Sequence, residues 1–260
     1  MKTLLRKARV LNGILQQASV HNVDFGAVAA VLSELIRANV YLVDDGGKIL
    51  GYAFIPSFSC GVIAEIIRDA IFLPRYNHHL LDVTETKANF QSDGNTCIFE
   101  PEVQCSFINP TVTLVPILGA GVRLGTLVLA KFNRLFHTND LILAEHGATV
   151  VGMEIFRSRM EKMAEDARKR AAVQVALGSL SYSELDAARH VFAELGGQEG
   201  LLVASKIADK AGITRSIIVN ALRKFESAGV VETRSLGMKG TYIRVLNDYL
   251  LEELRHYKHD

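Results

Sequence analysis

The chain of 260 residues has only three cysteines, Cys60, Cys97 and Cys105, an odd number with no CxxC pair among them. That pattern excludes a disulfide framework, makes a zinc site unexpected and fits reduced, buried thiols. No stretch of about 18 uninterrupted apolar residues occurs, which removes a membrane-spanning helix. A basic segment leading into an apolar stretch and a small-residue cleavage site is also lacking, so no secretory signal is expected. Neither sign of charge is in excess: 29 Lys and Arg stand against 28 Asp and Glu, a formal +1. Such balance excludes a uniformly basic nucleic-acid binder. With 49% hydrophobic and 22% charged residues the chain is not disordered, and its length suits one large domain or two ordinary ones. The expectation is a soluble cytoplasmic protein.

The balance hides an uneven distribution. Residues 1–150 and residues 151–200 each carry a net −1. Between residues 201 and 247, eight cations (Lys206, Lys210, Arg215, Arg223, Lys224, Arg234, Lys239 and Arg244) face only Asp209, Glu226 and Glu232, a net +5. An acidic partner is therefore expected for the C-terminal part alone.

Apolar residues at three- and four-residue spacing predict helices over Leu4 to Ala18, Phe25 to Arg37 and Val62 to Ala70. Strand, turn and strand follow one another over 39–43, 44–47 and 48–53, and again over 111–118, 119–121 and 124–131. Leu73 to Asn95, irregular and rich in His, Asn, Thr and Asp, reads as loops around weak structure. Two hairpins flanked by helices indicate an α+β fold with an antiparallel sheet. A long helix is expected from Asn139 or Asp140 to about Leu177, apolar in its first half and charged with alternating sign over 157–170. A helix polar all round bridges domains in solvent, which puts the domain boundary inside it; a solvated face of one continuous domain is the alternative. The expected division is 1–155, a linker helix over 156–180, and 181–260.

Ser181 and Glu184 have capping-box spacing and open a helix that ends at Gly196-Gly197. Then come a short helix from Ala204 to Ala211, the turn Gly212-Ile213-Thr214, a helix from Arg215 to Ala228, and two strands over 230–234 and 241–245. This is the winged helix-turn-helix order. Ile207, Ala208, Ala211, Ile213, Ile217, Ile218 and Leu222 can bury together, while Gly212 permits the sharp turn. Thr214 can cap the second helix, whose first residues enter the DNA major groove in this motif. Thr214, Arg215, Ser216, Asn220, Arg223 and Lys224 supply groups for base edges and phosphates. Ala204 and Ser205 open the first helix of the motif, and Arg234 and Lys239 belong to a wing suited to the backbone or the minor groove. The competing reading is a winged-helix module that binds protein.

Other signals are weaker. Gly119-Ala-Gly121-Val-Arg-Leu-Gly125 resembles a dinucleotide loop, but a β-rich run follows where a helix is required, so a hairpin turn is expected. His78-His79 reads as a solvated loop without metal, and Glu145, His146 and Glu154 as helix surface. No nucleophile, base and orienter set emerges, so neither catalysis nor a cofactor is expected.

Residues 201–247, LLVASKIADKAGITRSIIVNALRKFESAGVVETRSLGMKGTYIRVLN, resemble the DNA-binding domain of the CodY family of nutrient-responsive transcription regulators. LILAEHGATVVGMEI (141–155), SLSYSEL (179–185) and NVYLVDDGGKILGY (39–52) are similar as well, so the resemblance spans essentially the whole chain. It implies an N-terminal GAF domain, a homodimer, and repression of amino-acid and stationary-phase genes from an AT-rich palindromic operator. The implied effectors are isoleucine, leucine or valine and, in many members, GTP. Implied ligand-binding positions are Val62, Ile63, Ile66, Phe72, Tyr76, Cys97, Phe99 and Pro101. The chain departs from the family here. Val62 aligns with an arginine that holds the effector carboxylate, and no apolar side chain can do so. Arg68 and Arg75 are the nearby candidates to substitute. The basic pair linked to GTP reads Asp45-Gly46, which repels phosphate. The sensing half is therefore expected to answer to a different ligand, or weakly to the same one.

Overall fold

The computed structural model describes residues 2–17, 23–56, 58–91, 96–97, 99 and 104–257. Two compact units result, Met1–Met160 and Glu161–Asp260.

The first unit opens with α1 (Lys2–Gln17) and α2 (Phe25–Ile36), whose N-cap Asp24 accepts from the N–H groups of Gly26 and Ala27 at 2.8 and 3.2 Å. Strands β1 (Asn39–Asp44) and β2 (Ile49–Ala53) form the first hairpin. The segment expected as loops around weak structure forms a defined helix, α4 (Pro74–Leu81), and a strand, β3 (Lys87–Phe90), after α3 (Gly61–Asp69). Pro74 in the first turn of α4 suits a helix start, and Tyr76 and Leu80 share a helix face four residues apart; the polar residues between them masked that signal. His78 and His79 thus lie exposed on the last turn of a helix, where loops were expected. Strands β4 (Pro110–Gly119) and β5 (Val122–Phe132) complete an antiparallel sheet of order β2-β1-β5-β4-β3. Ala120 and Gly121, both at positive φ, turn the β4–β5 hairpin, so the glycine run is a turn as expected.

The central strands read as unbroken apolar runs because both sheet faces are covered. Val40, Leu42, Val115, Ile117, Leu127 and Leu129 pack with α1, α2 and the first half of α5 (Thr138–Gly178). Tyr41, Val43, Val112, Leu114, Val128 and Ala130 face the other way, toward Ile63, Phe72 and Leu80. Gly152 lets α5 lie directly on β4: a Cβ there would stand 2.1 Å from the Leu118 carbonyl oxygen.

In the second unit Val173, Ala176 and Leu177 of α5 are buried together with α6 (Tyr182–Leu195), α7 (Ala204–Ala211), α8 (Arg215–Ser227) and the hairpin β7 (Val231–Ser235) and β8 (Thr241–Val245). The Ser181–Glu184 capping box is complete, and α6 ends at Gly196 in the left-handed region. Two elements were not foreseen. Strand β6 (Glu199–Leu202) pairs with β8 to make a three-stranded sheet, and α9 (Leu250–His256) buries Leu250 and Leu254.

Candidate nucleic-acid interface and effector cleft

Apolar spacing fixes how α7 and α8 meet. Ile207 and Ala208 on α7, and Ile218, Ala221, Leu222 and Phe225 on α8, are buried in the core of the second unit. Gly212, at φ 68°, turns the chain between them while its N–H donates to the Ala208 carbonyl. The opposite face of α8 is therefore polar and open: Thr214, Arg215, Ser216, Asn220 and Arg223 are all exposed. Thr214 occupies the N-cap position but its hydroxyl does not cap the helix; it pairs with the Ser216 hydroxyl at 2.9 Å. With no side chain capping α8, its first-turn N–H groups remain suited to a phosphate. Ser205 is exposed on α7, whereas Ala204 is half-buried against the core.

Half of the eight cations counted between residues 201 and 247 are internally compensated. Lys224 meets Glu184 at 2.7 Å and also donates to the Ser179 carbonyl, so it holds α8 to α6. Burial works to raise the Glu184 carboxyl, but Lys224 and the Ser181 N–H and hydroxyl outweigh it and hold the group below its ordinary value. Lys210 pairs with Glu194, Arg234 with Glu232 and Arg244 with Glu199. Glu184, Glu194 and Glu199 all precede the charged stretch in sequence. Among the described residues Lys206, Arg215, Arg223 and Lys239 have no ion pair. Free positive charge is thereby concentrated on the helix-turn-helix surface and the wing tip.

In the first unit a cleft of about 920 Å³ opens beside α4, β3 and β4. Tyr76, Cys97 and Phe99 line it, as does Arg75, whereas Arg68 is exposed beside Asp69 and does not. Ile63, Ile66 and Phe72 belong to the apolar layer next to it without lining it. Phe72 stacks on Phe99 with centroids 5.5 Å apart, and Tyr76 leans on both rings at 5.2 Å. Val62 sits at the margin of the buried stripe of α3 and is part of neither layer nor cleft wall. Pro101 lies outside the described residues. Among the described residues the Tyr76 hydroxyl is buried without a hydrogen-bond partner, and burial raises it far above the ordinary tyrosine value. Nothing in the sequence marks that donor, because its state depends on what surrounds the ring.

The remaining candidates have ordinary structural contacts. The His146 ring meets the Asn12 side chain at 2.7 Å, and Glu154 pairs with Arg157 at 2.8 Å. Among the described residues no group of three or more His, Cys, Asp or Glu could hold a metal ion, and no helix is long and apolar enough to cross a membrane.

A winged helix-turn-helix with an open cationic face, in one chain with a cleft-bearing α+β unit, defines an effector-sensing, DNA-binding transcription regulator. The CodY GAF-like domain matches residues 3–179 and the CodY helix-turn-helix domain residues 198–258. Over 259 residues the chain is 53% identical to the global transcriptional regulator CodY of Clostridium perfringens strain 13 and 54% identical to that of Clostridium botulinum strain Okra, covering 99% of this chain and 100% of each relative. The solved cofactor-binding GAF domain of the nutrient sensor CodY from Clostridium difficile matches 58% of this chain and 96% of its own, at 33% identity and a TM-score of 0.41. The chain belongs to the CodY family, a family of regulators and not of enzymes.

Proposed function

We propose that this regulator acts in the cytoplasm, without catalytic activity, as a homodimeric repressor that reads an AT-rich palindromic operator. The single observation that carries the reading is the outward face of α8, where Arg215 and Arg223 stand exposed and, among the described residues, unpaired, beside Ser216 and Asn220. Arg215, with Thr214 and Ser216 at the start of α8, takes base edges and the adjacent phosphate; Asn220 and Arg223 extend the contact, and Ser205, Arg234 and Lys239 hold the backbone. Lys224 is left out because the buried Glu184 holds it at 2.7 Å, whereas the contact of Arg234 with Glu232 is a long 3.5 Å between exposed side chains and leaves Arg234 able to turn to a phosphate.

The effector proposed for the cleft is a small aliphatic carboxylate of the isoleucine, leucine or valine type, held by a different cation from the family pattern. Arg75 stands on the cleft wall and takes the carboxylate; the apolar chain lies toward Phe99 and Cys97, and the Tyr76 hydroxyl donates to the ligand. Asp45, already paired with Arg159, disfavours GTP. Because α5 packs on the sheet with its first half and enters the second core with its last turns, a ligand that alters its packing can change the DNA affinity of the second unit.

A salt series on the full-length protein tests the DNA reading. Operator affinity should fall steeply as salt rises, and Arg215→Ala should cost about 1–3 kcal/mol on operator while sparing random DNA. Little DNA affinity at any salt would instead favour the protein-binding winged-helix module. Calorimetry with isoleucine, leucine, valine and GTP tests the cleft: ordinary tight isoleucine binding unchanged by Arg75→Ala would overturn the assignment of Arg75.

A further inference from the structure

The wing presents one side chain that an electrostatic account of DNA binding leaves unused. Met238 is fully exposed, at 103% relative accessibility, the highest value among the exposed large hydrophobic residues described. It sits at the middle of a single 3₁₀ turn, Gly237–Lys239, between β7 and β8.

The backbone there is closed and braced. The Leu236 N–H donates to the Gly240 carbonyl at 2.8 Å, and the Gly240 N–H donates to that of Gly237 at 3.2 Å. Gly237 and Gly240 both take positive φ, 62° and 117°. A Cβ on Gly240 would lie 2.4 Å from the Leu202 carbonyl oxygen, so only glycine lets the tip rest on β6. The exposure of Met238 is thus set by a tight turn seated on the sheet.

What surrounds Met238 selects its partner. Lys239 is adjacent and has no ion pair among the described residues, while Arg234 and Arg244 lie on the strands below, with exposed side chains. An apolar protein groove would have to desolvate these cations. A nucleic-acid groove presents phosphates at its rim and stacked, apolar base faces within. Methionine is long, unbranched and thin enough for a minor groove about 6 Å wide. Apolar side chains of this kind can enter between base steps and part them.

We infer that Met238 is a minor-groove wedge, inserted at a flexible pyrimidine–purine step while Lys239 holds the flanking phosphate. The inference rests on the DNA-binding reading above and deepens it, adding a contact that selects easily unstacked TA steps within an AT-rich site. Substitution should not disturb folding, because the side chain packs against nothing.

The test uses full-length protein and an AT-rich palindromic duplex that it binds, with 2-aminopurine placed at each TA step in turn. Fluorescence anisotropy gives affinity, and the 2-aminopurine emission reports unstacking. Met238→Ala should weaken binding about tenfold or more, abolish the emission rise at the wing-proximal step, and leave the salt slope unchanged. Met238→Leu should keep most of the affinity. Lys239→Ala should instead lower the slope by about one, without removing the emission change. Normal operator affinity in Met238→Ala overturns the wedge, as does wild-type binding with no change in emission at any TA step. If the wild type shows no salt-dependent DNA binding at all, the DNA-binding reading itself has failed and the wedge falls with it.

Discussion

Asp45 and Arg159, 114 positions apart, form a two-pronged ion pair: one guanidinium nitrogen lies 3.0 Å from Oδ2 and the other 2.5 Å from Oδ1. The pair joins the turn after β1 to the outer surface of α5. The charge of Asp45 is thus met from within the chain. The Arg159 hydrogen bond holds the Asp45 carboxyl below its ordinary value.

Both partners are about 40% exposed, so the pair orients more than it stabilises. Asp45→Asn should cost only about 0.5–1 kcal/mol at neutral pH in a urea titration of the first unit. A double-mutant cycle with Arg159→Ala should give a coupling of similar size. A coupling near zero would mean the fork has no energetic weight.

The Glu184–Lys224 pair should matter more, since Glu184 is buried and also caps α6. Glu184→Gln is expected to destabilise the second unit by about 1–2 kcal/mol. The sign of the pH effect follows from the lowered carboxyl. Its contribution is complete above the ordinary glutamate value and is lost as pH falls through the folded-state value. Urea titrations between pH 7 and pH 4 should show the wild type losing stability in acid and the variant responding less. Parallel acid limbs would show that Glu184 contributes nothing through its charge.

Gly152→Ala probes the approach of α5 to β4. The added Cβ would meet the Leu118 carbonyl at 2.1 Å, and backbone cannot swing aside as a side chain can. Despite the better helix propensity of alanine, the variant should lose about 1–3 kcal/mol in thermal melts of the first unit. An unchanged melting temperature would show that α5 sits farther from the strand.

Tyr76→Phe separates stability from binding. Removing a buried hydroxyl that has no partner among the described residues should leave the ligand-free protein equally stable, or more stable by about 1 kcal/mol, because the ring contacts to Phe72 and Phe99 are kept. Affinity for a carboxylate effector should fall in calorimetry. A destabilised protein with undiminished affinity would mean that the hydroxyl is satisfied internally.

The helix-turn-helix was legible because its determinants are local. Apolar spacing defines the buried faces of α7 and α8, Gly212 makes the turn, and Ser181 with Glu184 opens α6 three residues apart. Residues within one or two helical turns decide all of this, and their order in the chain is their order in space. Segments with mixed composition were less legible: α4 and β3 looked like loops because their apolar residues are few and face one layer only.

By itself the sequence determined the class of fold, the recognition helix and the family, and it located the excess of positive charge in the last quarter of the chain. Only the tertiary structure decided which of those charges are free. Glu184, Glu194 and Glu199 neutralise Lys224, Lys210 and Arg244 from outside the stretch where the cations were counted, and Glu232 meets Arg234 within it, leaving Lys206, Arg215, Arg223 and Lys239 without an ion pair among the described residues. It also decided that Arg75, and not Arg68, faces the cleft, and that the Tyr76 hydroxyl has no partner among the described residues. The physical reason is the same in each case. Periodicity and turn chemistry act between near neighbours, whereas ion pairing, burial and cleft walls depend on residues that only the folded chain brings together.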